Sequence, residues 1–232
     1  MLRSIHSAQT APEGLLSDVR AIRQRAGIHQ AEQYVSLVPG EYVTAVTLLA
    51  QDEHSFSTLI RELVDYPAFR TLLETGSTEL YQQCTFEMHA GKWSPAGREG
   101  SVIHWPAQGP VSILIQGAYG ANEHMRALTI QEIVDTRREP GCEFYAWMEN
   151  VELPNHLMLL ERWTDQQIYD AHWLGRMATS DYRGDSGRSA VSPVRGVASR
   201  EFYRQQPFEF HYGRLLPANV RHYSHTVTWT PR

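Results

Sequence analysis

Cysteine is scarce in this chain: only Cys84 and Cys142 occur among 232 residues. Two are too few for a disulfide framework, and no Cys-x-x-Cys spacing exists for zinc or redox work, so both are expected as reduced packing residues. Lysine is scarcer still, with Lys92 the single example, so 20 of the 21 basic side chains are arginine. Against 26 acidic residues they leave a net charge of −5. No basic run occurs, which argues against nucleic acid or an anionic membrane as partner. Long apolar runs are missing too: 46–50 and 111–115 are far short of a membrane span, and the N-terminus lacks a signal-type apolar core. A soluble cytoplasmic protein is expected. There is no Gly-x-Gly-x-x-Gly between strand and helix and no His-Glu-x-x-His, and His222 with His225 lack an obvious third ligand. Neither a bound dinucleotide nor a metal is therefore expected.

What the chain does contain is an echo of itself. Residues 78–92 (TELYQQCTFEMHAGK) match 200–214 (REFYRQQPFEFHYGR) at a constant offset of 122. The identities are Glu79/Glu201, Tyr81/Tyr203, Gln83/Gln205, Phe86/Phe208, Glu87/Glu209, His89/His211 and Gly91/Gly213, too many in so diverse a window for chance. VIHWP at 102–106 resembles VTWTP at 227–231, giving each half a tail strand. A tandem duplication is expected, with units 1–107 and 108–232.

The second unit is the easier to read. Residues 111–117 (VSILIQG) suit a buried strand, Asn122 an N-cap, and Ile130, Ile133, Val134 and Arg137 an apolar helical stripe ended by Glu-Pro-Gly at 139–141. Segments 142–152 and 156–163 flank Leu153-Pro154-Asn155 as a hairpin. Thr164 and Gln167 form a capping box for a second helix to about Met177, and after a Gly/Ser/Arg-rich loop at 182–196 a last strand runs over 198–212. The order β-α-β-β-α-β predicts an α+β, ferredoxin-like unit. Two such units can cover each other's sheets, as a dimeric α+β barrel does, within one chain. The first unit starts late, so its first strand is expected to be short or missing, with 223–230 able to fill the gap.

At the end of the hairpin, Trp163 precedes Tyr169, His172 and Trp173, the last three at i, i+3 and i+4 of one helix. An aromatic wall, a hydroxyl and an imidazole base in one place suit the oxidation of an electron-rich phenol, which needs an apolar pocket, one proton acceptor and a few donors. The same stripe also suits plain packing of helix on sheet. The aligned positions in the first unit are Ala50, Phe56 and Leu59, so one competent pocket, in the second unit, is expected. Tyr145 and Trp147 are expected on opposite faces of their strand, with Trp147 as a wall. Arg162, Arg176 and Arg183 are candidates to pair with a phenolate or a flavin phosphate, with a solvated surface role as the alternative. The repeated Glu87/His89 and Glu209/His211 pairs place a carboxylate beside an imidazole. Their duplication suggests a bond between the halves, with His211 also a candidate substrate contact.

The stretch 138–173 (REPGCEFYAWMENVELPNHLMLLERWTDQQIYDAHW) resembles the antibiotic biosynthesis monooxygenase family of dimeric α+β barrels. The resemblance rests on Glu-Pro-Gly-Cys, the Pro-Asn turn, Leu160-Glu161-Arg162-Trp163, Asp165, Tyr169, Ala171 and His172. It implies an oxygenase of aromatic polyketide biosynthesis acting on a polycyclic phenol or quinone with O2, without tightly bound cofactor, and a pocket containing Trp163 and Tyr169. Leu159 stands where some members carry asparagine. In tandem form the chain resembles oxygenases that cleave a ring of angucyclines with reduced flavin supplied by a partner reductase. Two other classes share the scaffold, a non-catalytic binding or stress-response barrel and a haem-binding relative, and further homodimerisation stays open.

Overall fold

The computed structural model describes residues 1–83, 86–89, 92–95, 102–104, 110–118, 123–178, 199–204, 207–217 and 228–230. The fold is α+β, built of antiparallel strands and helices that divide into two compact units.

Unit 1 comprises Met1–Gln83, Asn150–Glu152 and Gln206–Ser224. Its elements are β1 (Leu2–Ala8), α1 (Leu15–Arg23), β2 (Ile28–Ser36), β3 (Thr44–Ala50), α2 (Glu53–Glu62), a 3-10 turn (Leu63–Asp65), α3 (Pro67–Thr75) and β4 (Ser77–Gln82). Strand β1 pairs on one side with β3 and on the other with β4, which gives the order β2-β3-β1-β4 of a ferredoxin-like unit. The first strand, expected to be short or missing, is thus present over seven residues, and the tail strand pairs elsewhere. Its sequence, LRSIHSA, hides the strand because the buried residues are polar and bonded. The His6 ring nitrogens contact the Thr78 and Ser4 hydroxyls, each at 2.9 Å, and Arg3 donates to Gln30 at 2.6 Å.

The helices pack an apolar core on this sheet. Leu15, Val19 and Ile22 of α1 meet Val46 and Leu48 of β3 and Leu59 of α2. Asp18 leaves that stripe to accept from the Ala68 and Phe69 amides, capping the first turn of α3.

Unit 2 comprises Cys84–Glu149, Leu153–Gln205 and His225–Arg232. It contains the hairpin β5 (Phe86–His89) and β6 (Lys92–Pro95), then β7 (Val102–His104), β8 (Val111–Ala118), α4 (Glu123–Thr136), β9 (Cys142–Asn150), β10 (His156–Trp163), α5 (Gln166–Ala178) and β11 (Ser199–Arg204). Its sheet runs β11-β8-β10-β9, the same order as in unit 1. The long last strand expected over 198–212 is instead two. Strand β11 pairs with β8, whereas β12 (Pro207–His211) pairs with β4 of unit 1 and with β13 (Arg214–Pro217). The last strand, β14 (Thr228–Thr230), pairs with β7.

Matching local geometry recurs 114 residues apart. Gly27 and Gly141 have φ of 77° and 81°, and their carbonyls accept from Gln51 and Thr164 at 2.8 and 2.9 Å. Arg23 Nε donates to the Ala31 carbonyl at 2.8 Å and Arg137 Nε to that of Tyr145 at 2.7 Å. Each strand after the glycine carries a bulge, its register skipping His29 in β2 and Glu143 in β9.

Candidate functional site

The site is built where β10 ends and α5 begins. The Thr164 amide bonds to Gly141, and the Asp165 carboxylate accepts from the Gln167 amide at 2.7 Å. Asp165 is therefore the N-cap of α5, in place of the expected Thr164 box, because its carboxylate reaches the exposed amide two residues on. This start fixes the phase of the helix. Tyr169 and His172 turn toward Trp163, with ring centroids 6.4 and 4.6 Å from the indole. The β9 bulge opposite pairs Trp163 with Cys142 rather than with Glu143, so the indole keeps the same strand face as Glu161. Trp163 is fully buried and its Nε1 donates to Glu161 Oε2 at 2.8 Å.

Two further carboxylates complete the cluster. His172 Nδ1 lies 2.8 Å from Glu139 Oε2, with the imidazole 5% and the carboxylate 37% exposed. An ionised carboxylate only accepts, so against one the His172 Nδ1 is the donor and the neutral ring keeps its lone pair on Nε2, the form of a base. The edge of the His172 ring meets Tyr145, centroids 5.9 Å apart, and the Tyr145 hydroxyl donates to Glu132 at 2.6 Å. Burial, and then the charges of Glu161 and Glu139, push the Cys142 thiol up to about 11, so it is no nucleophile here.

The equivalent positions in unit 1 show what a purely structural version looks like. Aligned through the shared bonds, Thr129, Thr136, Tyr145, Glu161, Trp163, Tyr169 and His172 correspond to Leu15, Ile22, Ala31, Leu48, Ala50, Phe56 and Leu59. All seven unit 1 residues are apolar and buried.

Residues 111–173 match the family model of antibiotic biosynthesis monooxygenases. This stretch of the chain is similar to that family. The match spans β8 to the first turns of α5 and includes every residue of the cluster. No match is found among curated proteins. Several solved structures are similar over most of the chain. A Lactobacillus acidophilus NCFM protein proposed to be a monooxygenase is 13% identical, with 98% of each chain covered and a TM-score of 0.34. An anthrone oxidase-like protein is 8% identical, covering 95% of this chain and 94% of its own, with a TM-score of 0.31. An aldoxime dehydratase is 12% identical, covering 87% and 79%, with a TM-score of 0.45. Likenesses this distant carry no functional weight.

The expected site residues divide. Trp163, Tyr169 and His172 come together as the cluster. Leu159 and Trp147 lie directly opposite each other on the same strand face, 4% and 6% exposed. Tyr145 shares that face, contrary to expectation, because residues two apart on a strand point the same way. Trp173 is half-buried on α5. Arg162 is not part of the site: as the neighbour of Trp163 it takes the opposite face, its guanidinium 4.9 Å from the centre of the Phe144 ring. His211 belongs to unit 1, where Nε2 contacts Glu209 at 2.8 Å with both side chains more than half exposed. That bond is internal to β12, in place of one between the halves. Arg183, the loop at 182–196, Asn122, His222 and His225 lie outside the described residues, as do the side chains of Arg176, Glu87 and His89. Among the described residues, no group of three His, Cys, Asp or Glu could hold a metal ion, and no helix is long and apolar enough to cross a membrane.

Glu132, Glu139, Tyr145 and Glu161 were missed as site residues. The signal was available, since an acid or phenol stands at Tyr145 and Glu161 where unit 1 has Ala31 and Leu48.

Proposed function

We propose that this protein is an oxygenase of aromatic polyketide biosynthesis, oxidising a polycyclic phenol or anthrone with O2 against the Trp163, Tyr169 and His172 cluster. The observation that carries this reading is the substitution of an apolar helix–sheet core in unit 1 by a buried base, two phenols and an indole at equivalent positions of unit 2. Burying polar groups is costly unless they are bonded, so a second core of that kind without a task is an expensive way to pack a helix.

Nε2 of His172 is placed to take a proton from the substrate while Glu139 holds the ring and shares the imidazolium charge. The resulting anion donates an electron to O2, the two radicals combine to a peroxide at carbon, and loss of water leaves a carbonyl. The balance is CH2 plus O2 giving C=O plus H2O, with no outside reductant. Trp163 and Tyr169 wall the ring, and the Tyr169 hydroxyl donates to the developing oxyanion. Hydroxylating or opening a quinone ring requires two more electrons, which reduced flavin from a partner reductase supplies; the cluster needs no tightly bound cofactor for the first reaction. The recurrence of glycines, bulges and arginine bonds supports reading the two units as a tandem duplication.

The test is oxygen uptake with a hydroxylated anthrone, and with a quinone plus chemically reduced flavin. Uptake with the anthrone alone, lost in His172→Ala and reduced in Tyr169→Phe, is expected. Uptake confined to the flavin arm assigns the chain to the ring-opening reaction. No uptake in either arm from a folded protein leaves the binding-barrel class as the account.

A further inference from the structure

Tyr145 is tethered twice, through its main chain and through its side chain. Arg137 Nε donates to its carbonyl at 2.7 Å, and its hydroxyl donates to Glu132 Oε1 at 2.6 Å. The first tether is common to both units, since Arg23 Nε bonds the Ala31 carbonyl in the same way. The acid has a counterpart in unit 1 as well, Asp18, but position 31 there carries no phenol. The Asp18 carboxylate accepts instead from the Ala68 and Phe69 amides. An acid that caps a helix in one unit therefore holds a tyrosine in the other.

The ring held in this way meets His172. The two rings are 5.9 Å apart between centroids and inclined at 65°. On another side His172 packs on the Trp163 indole, and Nδ1 meets Glu139 at 2.8 Å. A single hydrogen bond fixes one atom of an imidazole and lets the ring pivot about it, and the χ2 torsion of histidine is a broad one that does little to resist. Aromatic contacts on two further sides fix the plane of the ring, and with it the place of Nε2. Tyr145 is buried, and the phenol–carboxylate distance lies in the short range of charge-assisted bonds.

We infer that Tyr145 is a positioning residue for His172 and that Glu132 acts through it: the bond between them sets the imidazole plane in which Nε2 takes a proton from the substrate. The inference rests on reading His172 as the base of the ring-oxidising pocket. Proton transfer needs the heavy atoms within about 2.6–3.2 Å of each other, and a misplacement of about 1 Å costs up to about a hundredfold in rate. A loss of this kind falls on kcat, because the substrate still binds.

Steady-state oxygen uptake with a hydroxylated anthrone tests this on Tyr145→Phe, Glu132→Leu, the double variant and Glu132→Gln. Tyr145→Phe and Glu132→Leu are each expected to lower kcat about tenfold or more, with KM within about twofold of wild type. The double variant is expected to be no slower than either single one, since all three remove the same bond. By taking away both ends of that bond it also carries the comparison if a single variant does not fold. Glu132→Gln is expected to keep most of the rate, because its amide oxygen still accepts from the phenol. Nitrogen NMR of the histidine rings, with His172→Gln to assign the signals, reads the positioning without substrate. One His172 tautomer is expected in wild type and in Glu132→Gln, and a mixture in Tyr145→Phe. An unchanged kcat in folded Tyr145→Phe overturns the inference and leaves His172 as the base. A rise in KM alone overturns it as well, making Tyr145 a substrate contact. Absence of uptake by the wild type overturns the ring-oxidising reading instead; the spectra then decide the positioning, and a single tautomer in wild type and Tyr145→Phe alike overturns that too.

Discussion

The His172 ring stands 4.6 Å, centroid to centroid, from the Trp163 indole, tilted by 37°. In unit 1 the same two positions are Leu59 and Ala50, both buried in an apolar core. A helix and a strand end that pack with carbon alone in one half of the chain therefore pack, in the other half, through an imidazole held by a carboxylate.

If Glu139 orients His172 for proton transfer, its removal acts on turnover more than on binding. Glu139→Ala is expected to lower kcat by about tenfold to a hundredfold with KM little changed, and Glu139→Gln, which keeps an acceptor, to lie between. Steady-state oxygen uptake measures both. A change in KM alone would make the contact a matter of substrate fit.

The negative field around Cys142 can be read without any ligand. In a Cys84→Ser background, Glu161→Gln is expected to bring the thiol down from about 11, raising alkylation at pH 8.5 several-fold. An unaltered rate would show that burial alone sets the thiol.

His6 makes unit 1 acid-sensitive. Burial lowers its pKa from 6.5 to about 3, so between those values the unfolded chain binds a proton that the folded one excludes. Stability is complete above pH 6.5 and falls as pH drops toward 3, at up to about 1.4 kcal/mol per pH unit. Urea midpoints at pH 7 and pH 5 should diverge in the wild type, and less so in His6→Asn. Parallel shifts in both proteins would assign the acid sensitivity to other groups.

Gly141 holds the turn that delivers Glu139 to His172. At φ of 81° an added Cβ would lie 2.7 Å from Thr164 Oγ1 and 2.8 Å from Ile168 Cδ1. Gly141→Ala should destabilise unit 2 by about 1 kcal/mol or more and impair oxygen uptake, while Gly40→Ala, also at positive φ but with open space around it, should leave activity intact. Thermal unfolding and uptake on both variants decide it.

Much of this was legible in the sequence, and the exceptions have physical causes. The β9–β10 hairpin follows from two strand-like segments flanking Leu153-Pro154-Asn155, where Asn155 takes φ of 61°. Strand β1 was hidden because its buried side chains are polar and satisfied by neighbours distant in sequence. The buried face of α4 was misplaced for a related reason. Periodicity favoured Ile130, Ile133 and Val134, but the helix buries Thr129, Glu132, Ile133 and Thr136, since this face serves Tyr145 and the site rather than an oily core. Hydrophobic patterning fails where function has replaced packing residues. Arg162, expected as a partner for a phenolate, instead stacks on Phe144, because alternation along a strand puts it on the face opposite Trp163.

The most direct test of the central claim is the fate of isotopically heavy O2 supplied with a hydroxylated anthrone. The account predicts a product carbonyl carrying one heavy oxygen, the other appearing in water, with label incorporation abolished in His172→Ala and retained in Leu59→Ala of unit 1. A product free of label, or incorporation equal in wild type and His172→Ala, would contradict it.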